Sequence, residues 1–327
     1  MRNLITDVAG VKVGNAEDFE LGSGSTVVLF DEPAVASIDL RGGGPGTRET
    51  ALLDPAQTVQ GIDAITLSGG SAFGLDAASG TQAWLREQGR GFAVRTARVP
   101  IVPAAILFDL LSGGNKAWGR YPPYRELGYA AAAAARADFA LGSVGAGTGA
   151  TTVNCQGGLG SASGQTPDGC TVGALAAVNA AGSVIIGQGP WFWAAPFEVD
   201  SEYGGRGWPN PFPPRALDPL TKGSARISTT LVVVATDAAL TKAQAKRLAV
   251  MAQSGLSRAI YPVHSPLDGD VLFAASTGRR PLSDTVVGLT VLGALAADVV
   301  ARAIARGVYA ATSQPRGLAC WQDQFGH

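Results

Sequence analysis

The sequence predicts a layered α/β protein. Short apolar, β-branched runs recur in both halves of the chain. Amphipathic stretches with a period of about 3.6 residues follow some of them. The two kinds mix without a regular strand–helix–strand alternation, which favours packed layers over a barrel. With 327 residues, 46% hydrophobic and 16% charged, the chain is long and apolar enough to bury a large core. No internal repeat at a period of roughly 20–50 residues is visible.

In chain order, residues 11–13, 26–30 and 36–40 read as short strands, and Gly42, Gly43, Gly44 and Pro45 break that pattern. Residues 64–67 form another strand. Residues 72–88 form a helix over a start at Gly69, Gly70 and Ser71. Residues 130–137 are a short alanine-rich helix, and glycine dominates residues 142–164. Residues 171–186 read as one or two buried strands bent at Ala181 and Gly182. Across residues 188–223, Trp191, Trp193 and Trp208 stand among prolines and no period survives. An irregular segment of that length is either functional or a surface loop with aromatic anchors.

The clearest block lies beyond it. Residues 230–236, TLVVVAT, read as a fully buried strand. Thr241 and Gln244 make a capping box for a helix with Leu248, Met251, Ala252 and Leu256 on one face. Asp268, Gly269 and Asp270 form a turn before a strand at 271–275. The last long helix covers 284–306, with Leu289, Leu292, Ala296, Val299 and Ala303 inward.

Composition excludes several function classes. A net charge of -1 leaves no broad basic footprint for nucleic acid and no polybasic tail for a membrane. Cys155, Cys170 and Cys320 are odd in number and give no disulfide framework, so a reducing, cytoplasmic setting is expected. With His264 and His327 as the two histidines, no HExxH or zinc cluster arises, and neither metal nor cofactor is expected. No apolar leader follows Met1, and the most membrane-like stretch, 286–300, carries Asp298 and reads as a buried helix. GxSxG and P-loop patterns do not occur.

Residues 145–150, GAGTGA, match GxGxxA with Asp168 at the expected distance, but residues 151–158 do not read as a helix. These glycines read instead as close-packed turns or as a backbone wall around a small substrate. Asp268 and Asp270 repel, so at least one needs a positive partner or a proton. They form either a solvated turn or a carboxylate pair that holds an ammonium group. Thr229 stands between the irregular segment and the buried strand. Cutting the bond before it would free an α-amine of ordinary pKa about 7.7–8.0. That amine can take the proton from its own residue's hydroxyl, uniting nucleophile and base. Ser-Thr-Thr before an apolar run is also ordinary strand usage.

STTLVVVATDAALTKAQAKRLA and HSPLDGDVLFAAST resemble the small subunit of the DmpA-type aminopeptidases, which are N-terminal-nucleophile hydrolases. That group includes L-aminopeptidase/D-amidase-esterases, β-peptidyl aminopeptidases and the nylon-oligomer endo-hydrolase, with ornithine acetyltransferase more distant. ITDVAGVKVGNA, IDLRGGGPGTRET, LSGGSAFGLDAASG, VPIVPAAILFDL, GAGTGAT, GGLGSAS and TVGALAAVNAAGSV extend the resemblance over nearly the whole chain.

The resemblance implies a four-layer α/β/β/α sandwich, a single catalytic domain made as a precursor. Self-cleavage would give residues 1–228 and 229–327, which stay together in a homo-oligomer, with a tetramer favoured. It implies an aminopeptidase or amidohydrolase acting on a small amide or peptide, ω-amino-acid oligomers included. Thr229 becomes nucleophile and base, Asn179 the oxyanion donor, and Asp268 and Asp270 orient Thr229. Gly147, Thr148 and Phe108 are expected at the substrate site. The chain departs from the family pattern at Asn154 for a lysine, Ser228 for asparagine or glycine, and Phe108 for a tyrosine. Two alternatives therefore stay open: an uncleaved member that binds a ligand, and acyl transfer to an amine in place of water.

Overall fold

The computed structural model describes residues 1–222, 228–314 and 317–326. Gly223, the end of the irregular segment, and His327 lie outside the described residues. The first strands are β1 (Val11–Asp18), β2 (Ser23–Leu40), β3 (Gly46–Arg48) and β4 (Ile62–Ser68). Next come β5 (Phe92–Val94), β6 (Ala97–Val99) and β7 (Ala104–Ile106). The remaining strands are β8 (Gly158–Gln165), β9 (Thr171–Asn179), β10 (Thr229–Ala238) and β11 (Val271–Arg280). The helices are α1 (Ala77–Glu87), α2 (Tyr124–Ala133), α3 (Lys242–Ala252), α4 (Ser254–Ala259), α5 (Val287–Tyr309) and α6 (Trp321–Phe325).

Strand β2 links two sheet layers. Its first part pairs with β1 and β4, and residues 35–40 pair with β11. The strand path runs β3-β7-β4-β2-β11-β10-β9-β8, and β5 and β6 form a separate hairpin. Side chains alternate across each strand. Val28, Phe30, Ile65 and Leu67 meet Leu231, Val233, Val271 and Phe273 between the two sheets. Val27, Leu29 and Ala64 face outward onto Ala78 and Leu85 of α1 and Ala131 of α2. Val232, Val234 and Leu272 face the other way onto Leu248, Leu256, Leu292 and Ile304. The result is a four-layer α/β/β/α sandwich.

The strands expected at 26–30 and 36–40 are the two halves of β2. Asp31, Glu32 and Pro33 between them are exposed, and the register with β4 shifts between Leu29 and Ala34. The proline therefore marks a bend, not an end. The helix expected at 72–88 opens as a 3-10 turn (Ser71–Asp76) before α1 begins. The alanine-rich helix starts at Tyr124, earlier than expected, and stops at Ala133. The strand expected to reach residue 186 ends at Asn179; beyond it Ser183 and Ile185 make single bridges to Tyr261 and Phe192. The capping box at Thr241 and Gln244 is present. Helix α5 is long and apolar enough to cross a membrane, but most of its apolar stretch is buried against β8, β9, α3 and α4. All five residues expected inward on it are buried.

The glycine-rich run at 142–164 holds β8, which glycine content obscures. A Cβ on Gly160 would lie 1.9 Å from the Ala303 carbonyl oxygen, so α5 rests directly on the strand backbone there. At 145–147 the chain makes a three-residue 3-10 turn, and no α-helix opens on these glycines. That removes the dinucleotide arrangement.

Candidate active site

Thr229 opens β10 directly opposite Asn179, the last residue of β9. The alternation that sends Leu231 and Ala177 between the sheets sends both of these side chains the same way, at the mouth of the inter-sheet core. Both residues are buried. The Thr229 hydroxyl donates to the carbonyl oxygen of Ser228 at 2.6 Å. The Gly269 N–H donates to that same oxygen at 2.8 Å, and the Ser228 N–H donates to the Leu267 carbonyl at 2.9 Å. The peptide carbonyl preceding Thr229 is thus held by two donors, one of them the hydroxyl beside it.

The turn at 268–270 clamps this bond. A Cβ on Gly269 would stand 2.7 Å from Thr229 Oγ1 and 2.6 Å from the Gly44 carbonyl oxygen. Only a glycine lets the turn approach the hydroxyl this closely. The Asp268 carboxylate accepts from Ala181 N–H at 3.0 Å, Ser265 N–H at 3.2 Å and Ser265 Oγ at 2.6 Å. Burial, reinforced by the neighbouring Asp270 carboxylate, pushes the Asp268 pKa up. Asp270 accepts from Thr230 N–H at 2.9 Å and His264 N–H at 3.1 Å, and His264 Nδ1 lies 2.9 Å from its Oδ2. Neither carboxylate hydrogen-bonds the Thr229 hydroxyl in the intact chain. Asp270 braces the residue after it, and Asp268 braces the loop after Asn179. Both are buried, so the pair is not a solvated turn.

Asn179 is fully enclosed. Its Oδ1 accepts from Thr151 N–H at 3.0 Å and from the Lys222 ammonium at 3.2 Å, while Nδ2 donates to the Phe108 carbonyl at 3.0 Å. Phe108 thus reaches Asn179 through its backbone. Asn154 does not: its side-chain hydrogen bonds run to Thr152, Ser183 and Gly187. Thr148 lines a cavity of about 320 Å³ with Phe19, Gly22, Ser112, Gly149 and Gln156, and Gly147, the residue before it, is buried. Thr229 and Asn179 are not among the residues lining that cavity. Asp109, next to Phe108, is wholly buried and accepts from Ser23 Oγ and Gly70 N–H. Burial pushes its pKa up, against the pull of Lys116.

Within the aromatic segment, Phe192 is a packing anchor, stacked 5.7 Å from Trp321 and edge-on to Tyr203. Trp193 instead meets Tyr261 at 5.5 Å. Three residues that patterning alone did not assign to the site join it: His264, Ser265 and Lys222. The spacing of His264 and Ser265 to the Asp268–Asp270 turn was a usable signal for the first two. For Lys222, 43 residues from Asn179, there was none. Among the described residues, no cluster of three or more His, Cys, Asp or Glu is placed to hold a metal ion.

The two-sheet sandwich has the N-terminal-nucleophile hydrolase fold of solved aminopeptidase structures. It matches the L-aminopeptidase D-Ala-esterase/amidase of Ochrobactrum anthropi with a TM-score of 0.71 at 22% identity, over 99% of this chain and 92% of the other. A Burkholderia sp. β-aminopeptidase matches at 0.70 and 23% over the same shares. Peptidase family S58 matches residues 3–317, and the chain belongs to that family. An uncharacterized aminopeptidase of Mycobacterium tuberculosis is 43% identical over 99% of this chain and 98% of its own length. The 6-aminohexanoate-oligomer endohydrolase of Kocuria sp. is 27% identical over 90% of this chain and 82% of its own. The chain is a hydrolase acting on amide bonds, of the aminopeptidase and amidase kind.

Proposed function

We propose that this hydrolase is self-processing, that the bond between Ser228 and Thr229 is the one cut, and that Thr229 then attacks small amides or peptides. The observation that carries this is the Ser228 carbonyl, held by the Thr229 hydroxyl and the Gly269 N–H. In the first stage Thr229 Oγ1 bonds to the Ser228 carbonyl carbon and the C–N bond breaks. The hydroxyl proton passes to the departing Thr229 nitrogen. The Gly269 N–H already points at the oxygen that takes the negative charge. Water then hydrolyses the ester, leaving a Ser228 carboxylate and a free Thr229 amine.

In the second stage that amine, with an ordinary pKa of about 7.7–8.0, takes the proton from its own hydroxyl. Thr229 Oγ1 attacks the substrate carbonyl, the leaving amine carries the proton away, and water releases the acyl group. Asn179 donates through Nδ2 to the oxyanion. Thr230 N–H on Asp270, together with the pairing to β9, keeps the start of β10 in place once its covalent link is gone. ω-Amino-acid oligomers fall within the proposed substrate class, as the Kocuria relative's name states for that protein.

The test is hydrolysis of a panel of α-, β- and ω-amino amides by the wild type and by Thr229→Ala. Activity in the wild type that falls to background in the variant supports the reading. Undiminished hydrolysis by Thr229→Ala overturns it. Added hydroxylamine should divert product from acid to hydroxamate, as an acyl-enzyme requires.

A further inference from the structure

Lys222, near the end of the irregular segment, turns back into the site. Its N–H donates to the Ala181 carbonyl at 3.2 Å, and its ammonium donates to the Thr151 carbonyl at 2.8 Å and to Asn179 Oδ1 at 3.2 Å. Ala181 in turn donates to Asp268. One residue therefore ties the backbone between the oxyanion asparagine and the carboxylate turn to the asparagine's own amide.

We propose that Lys222 is a positioning residue for Asn179, setting which end of its amide faces the reacting carbonyl and strengthening that end as a donor. This rests on the reading of Asn179 as the oxyanion donor. An amide can sit in its pocket in two orientations, with an acceptor at one end and two donors at the other. Here the Oδ1 end meets two donors, Thr151 N–H and the Lys222 ammonium, while Nδ2 meets the acceptor Phe108 carbonyl. Flipping the amide would turn its NH2 onto an ammonium and an N–H, and its oxygen onto a carbonyl. The orientation is therefore fixed, and the second Nδ2 hydrogen is free to serve the site. Asn179 is fully buried and Lys222 half-buried, so the ammonium is less screened at the amide than it would be in water. A charged donor on Oδ1 draws electrons from the amide and makes its N–H groups stronger donors. The neutral Asn154 does not take part, since its side-chain bonds lead to Thr152, Ser183 and Gly187.

The experiment compares Lys222→Met, Lys222→Arg, Asn179→Ala and the Lys222→Met/Asn179→Ala double variant. The readouts are the rate of self-cleavage and steady-state hydrolysis of an amino amide. Lys222→Met should lower kcat by roughly ten- to a hundredfold with KM within about twofold, as expected for a group acting through one oxyanion donor, and should slow self-cleavage less, because there the Gly269 N–H serves the oxygen. Lys222→Arg should restore most of the loss. The double variant should be no slower than Asn179→Ala alone, because the lysine acts through the asparagine. Wild-type rates in Lys222→Met, or losses that multiply in the double variant, overturn the proposal.

A second readout keeps this separate from the functional reading. In protein labelled with 15N-asparagine, the Asn179 side-chain NH2 signals, identified by their loss in Asn179→Ala, should move in Lys222→Met. If they stay in place the proposal fails, whether or not the wild type turns over. If the wild type neither cleaves itself nor hydrolyses amides, the functional reading fails and the NH2 signals alone decide the role of Lys222.

Discussion

Gly269→Ala should slow cutting of the bond before Thr229 by about a hundredfold while leaving the fold in place. The new Cβ would lie 2.7 Å from Thr229 Oγ1 and 2.6 Å from the Gly44 carbonyl oxygen, where unstrained contact begins near 3.4 Å. The turn must therefore retreat by about 0.7 Å from the hydroxyl. The same retreat stretches the Gly269 N–H···O=C contact to Ser228 from 2.8 Å to about 3.5 Å, beyond useful hydrogen-bond range. Overpacking of this kind costs about 1–3 kcal/mol of stability. Removing a donor from a developing oxyanion costs about 10²–10³ in rate. The assay is the decay of the 33.2 kDa precursor with time, followed by mass spectrometry under denaturing conditions beside a thermal melt. A cooperative melt with slowed cleavage is the expected result. Cleavage within about threefold of wild type would refute the assignment of Gly269 as a donor to this carbonyl.

Other positions give independent checks. Asn154→Lys should bring no gain in cleavage or hydrolysis, because Asn179 Oδ1 already receives the Lys222 ammonium; a gain of about tenfold or more would mean that position 154 limits the enzyme. Asp109 has a folded pKa raised by burial, so its contribution to stability is complete below 3.8 and is lost as pH rises through the folded value. Asp109→Asn removes that titration, while Ser23 can reverse its hydrogen bond to accept from the new amide. Denaturant melts from about pH 4 to about pH 7 should show the variant gaining on the wild type as pH rises, and a pH-independent difference would contradict the assignment.

Much of the fold was legible because its cause is local. In β10 and β11 an unbroken apolar run records burial on both faces, and in α3 and α5 the 3.6-residue period records one packed face. Strand β8 was hidden because its glycines answer to α5, more than 140 residues away in sequence between Gly160 and Ala303, and not to a local turn. Strand β2 read as two strands, 26–30 and 36–40, because a bend and an end look alike in sequence. At the site, Asp268 and Asp270 stood out as adjacent like charges, and Thr229 as a hydroxyl at a segment junction. Lys222 carried no such mark. Its place comes from the irregular segment folding back onto β9, which no spacing rule encodes. Asn154 shows the converse: its position in a motif suggested a role, yet its amide is spent on Thr152, Ser183 and Gly187.

The most direct measurement is the intact mass of the purified protein under denaturing conditions, with the N-terminal sequence of any fragment. Dividing 33.2 kDa in the ratio 228 to 99 gives pieces of about 23 and about 10 kDa. Two such pieces, the smaller beginning Thr229-Thr230-Leu231, are the expected result. A single 33.2 kDa species that persists through long incubation would contradict self-processing and leave Thr229 without the amine its chemistry requires.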